Sequence, residues 1–157
     1  MKLQLKIQND SDLLNCPAIR MIEKNLLDHQ IDLEEVKKIS DESVTYSFSI
    51  GKNSAALSVY TVIENDEPCF YVLFESAIQR VTLLEEPLML SRLAIESAQF
   101  LFPVRASSCV TDIASERLLL LQYRSCASIL SQKLMDGIMT VFSNFKFCEL
   151  EEVQSLH

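Results

Sequence analysis

At 157 residues the chain is the size of one average domain, and its 48% hydrophobic and 23% charged residues suit a sizeable core and exclude intrinsic disorder. The formal charge is −8, divided as −5 over residues 1–80 and −3 over residues 81–157, so neither half carries the cationic surface that nucleic acid or an anionic membrane requires. Two glycines (Gly51 and Gly137) are too few for a phosphate loop or a dinucleotide fingerprint, and the two histidines leave most hydrolytic and metal chemistries short of parts.

Residues 2–8 alternate Leu3, Leu5 and Ile7 with Lys2, Gln4, Lys6 and Gln8, the pattern of a half-buried edge strand. After a polar turn, a helix is predicted over 17–28, with Pro17 in its first turn and Ile19, Ile22 and Leu26 on one face. Residues 31–42 are acidic and fit either a short strand or an irregular crossing. Val44, Tyr46, Phe48 and Ile50 then alternate with Thr45, Ser47 and Ser49 as a one-sided strand. Gly51-Lys52-Asn53 turns into a second strand over 55–63, and 64–68 turns into a third over 69–75. These connections are too short for crossover helices, so the three strands are expected to form an antiparallel meander.

A second helix is predicted over 86–102, opened by Pro87 and a capping box at Thr82–Glu85, with Leu90, Leu93, Ala94, Ser97 and Leu101 along a face. Strands over 105–113 and 118–125 follow. A third helix covers 130–148, its stripe made of Leu134, Ile138, Val141, Phe142 and Phe145, and residues 149–157 form a frayed acidic tail. The expected fold is α+β and a single domain: five to six antiparallel strands with three helices, in the order (β)-α-β-β-β-α-β-β-α.

The opening MKLQLKIQ lacks the continuous apolar stretch of a signal peptide, and the longest apolar run, 69–74, is too short to span a bilayer. A cytoplasmic protein is expected. Its five cysteines (Cys16, Cys69, Cys109, Cys126 and Cys148) are odd in number and contain no C-x-x-C pair, so they are expected to be reduced core thiols.

Few constellations here carry chemistry. His29 stands at a helix end, where a histidine satisfies loose carbonyls, and structure explains it better than Cys–His catalysis does. The carboxylate pairs Glu34-Glu35, Asp41-Glu42, Glu85-Glu86 and Glu151-Glu152 sit on polar stretches without the apolar pocket that general acid–base work needs. Asn65-Asp66-Glu67 is too short for a hard-cation loop, and no cofactor is expected. A small thiol- or carboxylate-dependent enzyme therefore ranks below a binding protein.

Two strands depart from the one-sided pattern. In 69–74 both registers are apolar (Phe70, Val72 and Phe74 against Tyr71 and Leu73), and residues 118–121 are four consecutive leucines. Either the helices divide between the two faces of the sheet, or a second polypeptide completes the burial.

The order helix, three strands, helix, two strands, helix, over 19–28, 44–63, 69–75, 88–102, 105–113, 118–125 and 130–145, resembles the class I type III secretion chaperone fold and the related YbjN-like regulators. Residues 2–8 would be an addition to it. The resemblance implies a bacterial, non-enzymatic homodimer that binds an extended segment of a partner, effector-like protein through apolar patches, or alternatively a regulator acting through protein contacts. Leu90, Leu93 and Ser97 are then expected at the dimer interface, and Leu26, Val44, Tyr71, Leu73 and Leu119 against the partner.

Overall fold

A computed structural model describes residues 13–50 and 53–145. The strand expected over 2–8, the turn at Gly51-Lys52, Cys148 and the acidic tail lie outside the described residues. In chain order the elements are α1 (Pro17–Asp28), α2 (Leu33–Val36), β1 (Lys37–Ile39), β2 (Ser43–Ile50), β3 (Asn53–Glu64), β4 (Glu67–Thr82), α3 (Glu86–Ser97), β5 (Arg105–Val110), β6 (Glu116–Cys126), a single 3-10 turn (Ala127–Ile129) and α4 (Gln132–Asn144). The fold is α+β, and among the described residues one sheet has six antiparallel strands in the order β1-β2-β3-β4-β6-β5. The ambiguous stretch after α1 thus becomes a single helical turn and a three-residue edge strand.

Helix α1 starts where Pro17 meets the positions whose N–H groups have no helical partner, and it buries Ala18, Ile19, Ile22 and Leu26. It ends in a Schellman arrangement: the Gln30 N–H donates to the Leu27 carbonyl at 2.9 Å and the Ile31 N–H to the Leu26 carbonyl at 3.0 Å. Gln30 adopts φ 62° there, a left-handed conformation that usually selects glycine. The hairpin from β3 to β4 closes through Asn65 (φ 50°) and Asp66 (φ 65°), between the paired residues Glu64 and Glu67. Positive φ at both central positions is what a type I′ two-residue hairpin turn requires, and Asn and Asp tolerate it best among non-glycine residues. This tight turn lets β4 begin at Glu67, and β4 continues to Thr82, with a register shift between Ala77 and Gln79.

Before α3, the capping box forms as expected. The Glu85 N–H donates to Thr82 Oγ1 at 3.2 Å, and the Thr82 N–H donates back to Glu85 Oε1 at 3.1 Å. Helix α3 is shorter than its periodicity suggests and stops at Ser97, leaving Leu101 fully exposed beyond it. Helix α4 is capped by the Ser131 hydroxyl, which accepts from the Leu134 N–H at 3.1 Å.

Register decides where the core sits. Along the rows Val44–Val59–Val72 and Tyr46–Leu57–Phe74–Tyr123, every side chain is buried. These rows join Ile19, Ile22 and Leu26 of α1, Met89 and Leu93 of α3, and Met135, Ile138, Met139 and Phe142 of α4 in one cluster. The three longer helices therefore cover the same face. Phe74 and Phe142 meet edge to face at 4.9 Å in its centre. The Tyr46 hydroxyl donates to the Glu23 carboxylate, which also pairs with Lys37 Nζ at 2.6 Å, tying α1 to the β1–β2 edge. No helix among the described residues is long and apolar enough to cross a membrane.

Candidate functional site

Among the described residues, the opposite face of the sheet carries no helix. Its rows run Ser43–Tyr60–Tyr71–Cys126, Thr45–Ser58–Leu73–Arg124 and Ser47–Ala56–Glu75–Gln122–Arg105. Serines and a threonine occupy the β2 side, while aromatic, aliphatic and charged groups occupy the β4–β6–β5 side. Tyr71, Leu73, Leu118 and Leu120 are half-buried here.

Register brings together side chains far apart in the sequence. Tyr60 and Tyr71 stack with ring centroids 5.9 Å apart. The Arg124 guanidinium lies 4.7 Å from the Tyr71 ring centroid, and its Nε donates to the Tyr60 hydroxyl at 2.6 Å. Beside it, Gln122 Nε2 donates to Glu75 at 3.0 Å and its carbonyl accepts from the Ser107 hydroxyl at 3.0 Å. An open groove of about 490 Å³ runs past Tyr60, Leu73, Pro103, Val104, Arg105, Gln122 and Arg124.

At one end of the sheet lies a second depression of about 490 Å³, where Cys16, Ala18 and Met21 approach Cys69, Tyr71, Cys126 and Leu130. The Tyr71 hydroxyl donates to the Glu64 carboxylate at its rim. That bond, with burial second, raises the Tyr71 pKa well above the ordinary tyrosine value, while burial followed by the Glu64 charge raises the Cys69 thiol. Both groups are held neutral, which disfavours their use as nucleophiles at neutral pH. Among the described residues, no three His, Cys, Asp or Glu side chains cluster as a metal site would require.

The structure relocates much of the expected binding set. Leu26, Val44 and Leu119 are 0% exposed in the chain's own core and offer no surface to a partner. Leu93 and Ser97 likewise turn inward under α3 and offer no surface to a second subunit, while Leu90 is half-buried against the core. The cause is periodicity itself: an apolar stripe at helical or strand spacing satisfies the chain's own core first. Tyr71 and Leu73 alone of the eight reach the helix-free face. The expectation of core thiols also fails for most of the cysteines: among the four described, Cys16 is buried, Cys69 and Cys126 are half-buried, and Cys109 is exposed.

His29 has the structural role expected of it, its Nδ1 lying 2.9 Å from the Asn25 carbonyl. Glu85 is occupied by the capping box, and Glu86 accepts from Arg117 Nε at 3.2 Å. Tyr60, Glu75, Arg105, Gln122 and Arg124 escaped the sequence reading. Gln122 and Arg124 left a signal as polar residues in the largely apolar strand 118–125, and cross-strand register is needed to unite them with Tyr60, Glu75 and Arg105. Comparison of the chain with known protein families, curated proteins and solved structures finds no match.

Proposed function

We propose that the chain is a non-enzymatic chaperone or adaptor that binds an extended segment of another polypeptide on the helix-free face of its sheet. The observation that carries this reading is the one-sided placement of the helices. Half-buried Tyr60, Tyr71, Leu73, Leu118 and Leu120 lie on a face that no element among the described residues covers. A docked segment would finish the burial of these groups, at roughly 25 cal/mol for each Å² of apolar surface removed from water. The order helix, three strands, helix, two strands, helix from α1 to α4, with α2, β1 and the 3-10 turn interposed, supports the likeness to type III secretion chaperones.

Self-association belongs to the same proposal, moved to the outer side of α3. Leu88 and Ile95 are spaced seven residues apart on that side and are 54% and 68% exposed. Native mass spectrometry of the protein isolated from its own cell tests both parts. A co-purifying polypeptide lost on Leu73→Asp but kept on Leu88→Asp supports docking on the sheet, and a dimer lost only on Leu88→Asp supports the α3 interface. A bare monomer from wild-type cells refutes the reading.

A further inference from the structure

Among the groups on the helix-free face, two cations stand out in a chain of formal charge −8. Arg105 is exposed and its guanidinium has no hydrogen bond or ion pair among the described residues. Arg124 is committed through Nε to Tyr60 and through its flat face to Tyr71, which leaves its terminal amino groups without a partner among the described residues. Both line the groove of about 490 Å³, together with Leu73, Pro103 and Val104. Aromatic stacking and the Tyr60 bond hold the Arg124 fork in place before anything binds, so little rotamer freedom remains to be lost.

We propose that Arg105 and Arg124 anchor a carboxylate side chain of an extended acidic partner segment lying along the β5 side of the open face. This rests on the docking function proposed above and adds the chemistry of the segment. A guanidinium fork matches a carboxylate in two parallel hydrogen bonds, and the two cations together exceed the local charge of Glu75, which is already held by Gln122. Leu73, Val104 and Pro103 supply apolar contact for the residue flanking the acid. An open groove on a sheet face suits a peptide better than a metabolite, because small ligands are held in sites that enclose most of their surface. The outer edge of β5 is also unpaired among the described residues, so the segment's backbone has a ladder to join.

The test is a chemical-shift titration of the full chain, labelled with nitrogen-15, against a blocked pentapeptide Val-Glu-Val-Glu-Val and its Gln-for-Glu twin. The acidic peptide is expected to bind about tenfold or more tightly than the twin, as charge-assisted bonds imply. Its shifts should map to residues 104–107 and 122–124. Arg105→Gln, at an exposed site with no partner to lose among the described residues, and Arg124→Gln should each erase the difference between the peptides; if Arg124→Gln fails to fold, Arg105→Gln decides alone. Equal binding of the twins overturns the arginine anchor while leaving the docking function standing. Absence of binding by both overturns the anchor too. Succinate binding as tightly as the acidic peptide transfers the site to a small dicarboxylate, and a peptide of residues 146–155 binding more tightly than the pentapeptide makes this chain's own acidic stretch the occupant; either result overturns assignment to a partner.

Discussion

Removing one oxygen at Tyr46 probes the junction between α1 and the sheet. Tyr46 is 0% exposed, and its hydroxyl donates to Glu23, whose carboxylate also holds Lys37 Nζ at 2.6 Å. Tyr46→Phe deletes a hydrogen bond to a charged group, worth about 1.5–3 kcal/mol. Glu23 keeps Lys37 and some access to water, so the loss should fall near the lower end. At about 1.5 kcal/mol, a chain of this size loses about 3–6 °C in Tm. Alkaline pH supplies a second signature. Burial first, and then the Glu23 bond and charge, raise the Tyr46 pKa far above its ordinary value, so the folded state holds this proton more tightly than the unfolded state. The associated stability is fully present below about pH 10 and is lost as pH climbs above it, at up to about 1.4 kcal/mol per pH unit for one proton. Phenylalanine has no such proton, so the gap between wild type and variant should narrow above pH 10. Urea unfolding of both proteins at pH 7 and between pH 9 and 11 measures both effects. A variant as stable as wild type at pH 7, or a gap that stays constant through pH 11, would refute the reasoning.

Leu119→Ala should cost about 2–5 kcal/mol, because Leu119 is fully buried, whereas Leu73→Ser on the open face should cost less than about 1 kcal/mol; chemical unfolding that ranked them the other way would contradict the assigned faces. Gln30→Gly should stabilise by about 1 kcal/mol by relieving the left-handed residue after α1, seen as a Tm rise of about 2–4 °C. Glu85 has its pKa lowered first by the Thr82 hydroxyl and then by the Thr82 N–H, and Asp112 has its own lowered chiefly by Arg80. Their stabilisation is complete above about pH 4 and falls away as pH drops through the depressed folded values. Acid titrations of Tm should therefore flatten in Thr82→Ala and Arg80→Gln.

Local pattern was enough to place most elements. The i, i+3, i+7 spacing of Ile19, Ile22 and Leu26 and the strict alternation from Val44 to Ile50 each demand one apolar face, and the Thr82–Glu85 box marks the approach to α3, because these signals depend on backbone geometry within a few residues. The ends of elements were less legible. Leu101 extends the helical period but lies beyond Ser97, where the chain has already left the helix, and β4 outruns its apolar stretch because antiparallel partners on both sides carry it from Glu67 to Thr82.

Tertiary structure alone decided which apolar residues are spent internally. Val44 and Leu119 looked as available as Tyr71 and Leu73, yet the first two face the helices and the others do not, since strand parity is meaningless until the covered side is known. The cluster of Tyr60, Tyr71 and Arg124 likewise exists only through the β3–β4–β6 register, which brings residues 64 positions apart to within 2.6 Å. A sequence specifies which side chains share a face of their own element, while contact across elements depends on how the sheet is ordered and where the helices land.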